Sequence, residues 1–175
     1  MLLRSFASFA CTALLATASL AQMGKAIPSP AETATASLNG KTITVKYGAP
    51  SMRGRKIMGD LVPYDQVWRT GANDATSLVT DGSLKIGTTT VPAGNYTLYT
   101  LPSAGQWMLI VNKQTGQWGT KYDQSQDLAR IPMKSEKLSS PQEQMSITFE
   151  KTHANSTEMH VKWENTDEYV TVTAP

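Results

Sequence analysis

The chain has 175 residues and one cysteine, and 16 basic against 14 acidic side chains leave a formal charge of +2. An excess so small creates no strong long-range field, and nothing resembles the basic stripe of a nucleic-acid binder, so no nucleic-acid partner is expected. The length suits a single core without covalent staples.

The first segment reads as an export signal. Arg4 supplies a positive flank, residues 6–20 are apolar or small without a charge, and Ser19, Leu20 and Ala21 present small residues where a signal peptidase cuts. Residues 1–21 are therefore expected to be removed, with Gln22 as the new N-terminus and a charge near +1 once Arg4 is gone. A membrane anchor needs about 20 predominantly apolar residues, and this run is shorter and rich in Ala, Ser and Thr. Lipid attachment at Cys11 is also disfavoured, because Ser8-Phe9-Ala10 lacks the usual leucine and the apolar run continues beyond it. Cleavage takes Cys11 with it, so the mature chain has no disulfide, no thiolate ligand and no cysteine nucleophile. A periplasmic or secreted protein with no membrane span after cleavage is expected.

Residues 22–32 form an extended lead-in, since proline at positions 28 and 30 disfavours helix at the preceding residue. A first strand is expected over 33–38, followed by the hairpin dipeptide Asn39-Gly40. Ile43, Val45 and Tyr47 then alternate with polar residues, as a half-buried strand requires. Residues 77–81 and 84–86 read as a strand pair turning at Asp81-Gly82. Residues 95–101 are rich in β-branched and aromatic side chains, and 107–111 has no polar interruption, as in a strand buried on both faces. Met145, Ile147 and Phe149 alternate, as do Met159, Val161 and Trp163, with Asn155-Ser156 as the turn between them. Residues 169–173 are again β-rich. Many short strands separated by Gly, Pro and Asn-Gly turns predict an all-β antiparallel sandwich over 33–175, jelly-roll-like, with a closed barrel as the alternative.

Two segments interrupt this pattern, residues 48–73 and 112–130. Structureless loops beyond about 12–15 residues are uncommon in compact domains and are often functional. The first contains Ile57, Met58, Leu61, Val62, Tyr64, Val67 and Trp68, enough apolar surface to hold a shape of its own. Here the chain resembles a bacterial family, the domain-of-unknown-function family 2911. The resemblance lies in Gly54-Arg55-Lys56-Ile57-Met58-Gly59, Leu61-Val62-Pro63-Tyr64 and Val67-Trp68-Arg69-Thr70-Gly71-Ala72-Asn73. It continues in residues 91–98, Trp107, Asn112, Trp118-Gly119, Tyr122, Asp127 and Arg130. Met58 stands where the family is often aromatic. The resemblance implies export and a β-rich domain, and no reaction.

Familiar catalytic devices are missing. There is no Gly-x-Ser-x-Gly elbow, phosphate loop, dinucleotide fingerprint or His-Glu-x-x-His, so no cofactor and no metal are expected. His153 and His160 flank a hairpin turn and read as exposed polar positions rather than metal ligands. The long loops offer better material, with Arg53, Arg55, Lys56 and Arg69 beside Tyr64, Trp68 and Asn73. Arginine's planar fork matches carboxylate or phosphate and stacks on aromatic faces. A second platform is available from Asn112, Trp118 and Tyr122. The ligand-binding candidates are thus Arg55, Tyr64, Trp68, Arg69, Asn73, Asn112, Trp118 and Tyr122. Alternatively, Trp68 plugs the sandwich and Arg69 pairs with Asp60, Asp65 or Asp74, the two side chains pointing apart as neighbours in extended chain do.

Three functions fit these residues. A binding module would hold a polar ligand, anionic or saccharide, in a cleft between the loops. A cell-envelope enzyme would use a loop carboxylate or tyrosine, with an Asp in reach of Arg69. A structural or interaction domain would dock an envelope component. Export itself is directly testable: intact mass of the protein recovered from the periplasm or medium should correspond to a chain starting at Gln22, and a mass retaining residues 1–21 would contradict it.

Overall fold

A computed structural model describes residues 29–175, so the expected leader, its expected cleavage point and most of the expected lead-in lie outside the described residues. The chain enters β1 (Ala31–Leu38) two residues before the expected start, turns at Asn39 and Gly40, and returns as β2 (Lys41–Gly48). Both turn residues have positive φ, 48° and 73°, as a tight hairpin with right-handed strand twist requires. β3 (Thr76–Thr80), β6 (Gly94–Leu101), β7 (Met108–Asn112) and β8 (Asp127–Pro132) extend this pair into one six-stranded antiparallel sheet, order β1-β2-β3-β6-β7-β8. β4 (Leu84–Ile86), β5 (Thr89–Val91), β9 (Lys134–Glu150) and β10 (Ser156–Thr173) form the second sheet, order β5-β4-β10-β9. The two sheets stay open and pack as a sandwich, which decides against the barrel.

Period-two alternation places the core. Ile43, Val45, Leu78, Leu98, Leu109 and Val111 from the first sheet meet Met145, Ile147, Met159, Val161, Trp163, Val170 and Val172 from the second in one buried cluster. Among the described residues no helix is long and apolar enough to cross a membrane.

Asp81-Gly82 does not close a hairpin between neighbouring strands. β3 already has β2 and β6 as neighbours, so β4 crosses to the other sheet and pairs with β5 and β10. The Asp81 carboxylate instead accepts the Thr42 N–H at 2.7 Å. A turn dipeptide reverses the chain but does not choose the partner. The second interruption is also shorter than expected. Asn112 ends β7 and residues 127–130 belong to β8, leaving residues 113–126 as loop.

β10 is continuous over 18 residues, yet its ends meet. The Ala174 N–H donates to the Asn155 carbonyl at 2.9 Å, and the rings of His160 and Tyr169 stack at 4.8 Å. Nine residues of extended chain would span about 30 Å, so the strand doubles back near Glu164, which has φ 56°. The β-rich stretch at 169–173 is its returning half.

This fold-back overturns the expected exposure of His160. The residue does lie opposite Met159 and Val161, but it is 1% exposed because Tyr169 covers it. Its Nδ1 is 2.7 Å from Asp167, while Lys162 bridges Asp167 and Glu150. His153 remains exposed at the turn and does not join it.

Glu168, also in the returning half, is 3% exposed and forms no ion pair among the described residues. Burial pushes its carboxyl up to about 7, with Asp167 adding to the shift and a hydrogen bond from Ser135 opposing it. Below about pH 4.5 both folded and unfolded chains are protonated here. Between that value and pH 7 only the unfolded chain ionises, so this group's contribution falls as pH rises, by up to about 3 kcal/mol. Glu168→Gln is therefore expected to gain stability over the parent as pH is raised from 5 to 8 in denaturant titrations. A difference independent of pH would refute this assignment.

Candidate functional site

The first long loop, residues 49–75, is held by both sheets. Trp68 exchanges backbone hydrogen bonds with Thr100 of β6 at 2.8 and 2.9 Å. Its ring stacks on Trp163 of β10 at 6.0 Å and meets Trp107 edge-on at 6.4 Å. At the β10 fold-back, the Glu164 carboxylate accepts the N–H groups of Ile57 and Met58 at 3.2 and 3.0 Å. The loop thus folds without regular structure of its own because side chains and distant strands satisfy its backbone.

Thr70 follows Trp68-Arg69 in a left-handed conformation, φ 53°, uncommon for a β-branched residue. It is fully buried, and its hydroxyl lies against the Trp68 carbonyl and the Thr100 hydroxyl while Thr76 donates to its carbonyl at 2.9 Å. These contacts hold the strained backbone and direct Trp68 and Arg69 to different surroundings. Trp68 packs against the core, and the aliphatic stem of Arg69 lies under the second loop.

That loop, residues 113–126, closes over the first. The Gly119 N–H donates to the Asn73 carbonyl at 3.2 Å, the Ala75 N–H donates to the Gln117 carbonyl at 3.3 Å, and Asp74 bridges to Trp118. A Cβ on Gly119 would overlap Arg69 Cδ and approach the Asn73 carbonyl oxygen to 2.7 Å. Only glycine lets the two loops lie this close.

The result is a cleft of about 330 Å³ at one end of the sandwich. Arg53, Arg55, Arg69 and Asn73 line it, with Trp68 and Trp163 among its apolar residues. No Asp or Glu is among its lining residues. Arg55 is oriented by donating from Nε to the Met52 carbonyl and from Nη2 to the Ser51 carbonyl, at 2.9 and 2.7 Å. Arg69 Nε is buried without a hydrogen-bond partner among the described residues. The alternative pairing of Arg69 with Asp60, Asp65 or Asp74 is not formed: among the described residues Arg69 makes no ion pair. Three guanidinium groups beside aromatic surface suit a planar anion, which accepts paired N–H donors.

The sequence candidates divide accordingly. Arg55, Trp68, Arg69 and Asn73 converge on this cleft, joined by Arg53. Tyr64 does not, because its ring packs over Gly59 and faces a separate cavity with Glu168. Asn112 is fully buried and serves the second loop: its amide donates to the Asp123 carbonyl and Asp127, and its oxygen accepts the Gln114 N–H, all at 2.9 Å. Tyr122 donates to Asp127 at 2.6 Å, receives Arg130 at 2.8 Å and packs edge-on against Tyr99. Burial, with the bond to Asp127 adding and Arg130 opposing, pushes its hydroxyl up to about 12, so it holds its proton at neutral pH. Trp118 is 52% exposed beside the cleft rather than in it. Glu164 and Gly119, which build the site, carry no local signal of that role, because both act across more than 45 residues of chain.

A family model described as a protein of unknown function, DUF2911, matches residues 29–172. The chain belongs to this family. No curated protein and no solved structure matches it.

The loop-on-loop contact can be measured. Gly119→Ala is expected to destabilise the protein by about 1–3 kcal/mol through overpacking. Arg69→Ala in the same background should recover part of the loss by removing one of the overlapping atoms, seen as a positive coupling in a double-mutant cycle of denaturant midpoints. Strict additivity would show that Gly119 and Arg69 do not press on each other.

Proposed function

We propose that this DUF2911 protein is an exported binding module whose cleft holds an anionic polar ligand on Arg53, Arg55 and Arg69. The observation that carries this reading is a cleft lined by three guanidinium groups and no carboxylate, with one buried Arg69 N–H lacking a hydrogen-bond partner. Buried polar groups are almost always satisfied, and the exceptions call for an explanation. An anion supplies it, accepting that N–H and meeting the positive charge of the arginines that line the cleft.

The binding reading also fits what surrounds the arginines. Trp68 and Trp163 supply a rigid apolar wall, and Asn73 supplies an amide that both donates and accepts. The cleft has the size of a small-molecule site, roughly 300 Å³ or more. An acid–base pair in contact with Arg69, which an enzyme acting here would use, is not among the lining residues.

Small carboxylates and phosphates, such as citrate, galacturonate and inorganic phosphate, provide the test. One or more should raise the melting temperature, adding about 2.7 kcal/mol of stability at a hundredfold its Kd and rising logarithmically beyond it. Arg69→Gln should weaken that ligand by roughly 10- to 100-fold, the worth of a charge-assisted hydrogen bond. A panel that leaves the melting temperature unmoved, or an Arg69→Gln protein binding like the parent, would remove the basis for this reading.

A further inference from the structure

The cleft is not isolated. Asn73 and Ala72 line both it and a second cavity of about 310 Å³ over the outer face of the six-stranded sheet. That cavity shares Asp74, Ala75 and Ser77 with a third, of about 480 Å³, which reaches Asn95, Thr97 and Gln117. The three form a continuous track from the arginines across β2, β3 and β6.

We infer that this track is a saccharide-binding groove, and that the ligand class is an acidic oligosaccharide with one carboxylate on the arginines and its neutral sugars along the sheet. The inference rests on the anion-binding reading of the cleft and extends it.

The chemistry of the groove distinguishes a glycan from other polymers. One end of the groove takes in Ala31, Glu32 and Thr33 of the edge strand β1, but β2, β3 and β6 under the rest of it have neighbours on both sides, so most of the floor offers no unpaired edge to a peptide adding by backbone hydrogen bonds. What it presents is side-chain hydroxyl and amide groups, from Ser77, Asn95 and Thr115, with Gln117 behind them. Such groups donate and accept, as sugar hydroxyls do. The only lysine lining it, Lys46, is accompanied by Glu32 and Asp74. That balance does not supply the row of cations that a phosphate backbone needs.

Gln117 gives the most specific indication. Its amide nitrogen donates to the Thr97 and Tyr99 hydroxyls at 3.1 and 3.0 Å. Those hydroxyls donate in turn to the carbonyls of Gln114 and Lys121, at 2.7 and 3.4 Å. With both hydroxyl protons committed, only the NH2 side of Gln117 can face them, and its carbonyl oxygen is buried with no donor. Of the buried side-chain atoms that lack a partner among the described residues, those on Arg69 and Gln117 belong to residues that line the track. An acid group and sugar hydroxyls are the complementary partners. At its edge Trp118, bridged to Asp74 and 52% exposed, offers an apolar face to the C–H side of a pyranose ring.

Titration calorimetry of the mature chain with neutral hexose oligomers ending in a single hexuronic acid, the hexuronic acid monomers, the corresponding wholly neutral oligomers and inorganic phosphate tests this. Acidic tetramers, with one terminal galacturonate or glucuronate on three neutral sugars, should bind at least tenfold tighter than the monomers. Asn95→Ala and Trp118→Ala, both at exposed positions that leave the core intact, should each weaken the tetramer several-fold and leave monomer and phosphate unchanged. Arg69→Gln should weaken all acidic ligands. Monomer and phosphate binding with no gain for any tetramer, or tetramer binding indifferent to Asn95 and Trp118, would overturn the groove and leave the anion site standing. Neutral oligomers binding as tightly as acidic ones, with Arg69→Gln silent, would overturn both, as would a panel in which nothing binds.

Discussion

The stack of Trp68 on Trp163 is the contact on which the site depends. It joins a long irregular loop to the strand that folds back through the second sheet, and the paired backbone bonds to Thr100 tie the same residue to the first sheet. A large aromatic ring covers much apolar surface while losing little side-chain freedom, so one residue can lock an otherwise floppy segment. With Trp68 held, the left-handed Thr70 sets the chain's course, and the Arg69 stem is left beneath Gly119. Scaffold and site are therefore not alternatives in this loop. Trp68 performs the first role so that Arg69 is free for the second.

The fold-back of β10 does comparable work at a distance. By reversing near Glu164 it delivers a carboxylate to the N–H groups of Ile57 and Met58, a charge-assisted bond that shapes the loop without lining the cleft. The same reversal buries His160 with Asp167 beneath Tyr169 and leaves Glu168 out of water. Glu168 lies on the second sheet, apart from the arginine cleft, where its raised pKa shapes how stability responds to pH.

Distribution of charge in the sandwich is uneven for the same reason. Apart from Arg130 with Asp127, the ion pairs among the described residues gather on β9, β10 and the turn between them, where Glu136, Glu150 and Glu158 meet Lys151 and Lys162. Arg55 instead donates to backbone carbonyls, and Arg69 lies beside the aromatic wall of the cleft. A net charge close to zero thus conceals a locally cationic cleft, which summing over the sequence cannot reveal.

Period-two alternation and the Asn39-Gly40 turn were enough to read the sandwich, because burial of one strand face and the φ > 0 demands of a tight turn are local constraints. The concentration of Arg and Trp in residues 48–73 likewise marked the cleft, and four of the eight candidate residues meet there. Asp81-Gly82 misled, because a turn specifies reversal but not which edge the next strand joins. Asn112 and Tyr122 misled because buried polar side chains that satisfy a loop use the same chemistry as those that hold a ligand. The sequence by itself determined the strand pattern, the absence of thiols from the expected mature chain, and family membership. Tertiary structure alone decided that β10 doubles back, that Glu164 and Gly119 build a site far from them in sequence, and that Arg69 makes no ion pair among the described residues. Those outcomes depend on contacts between segments many residues apart, and no local propensity encodes them.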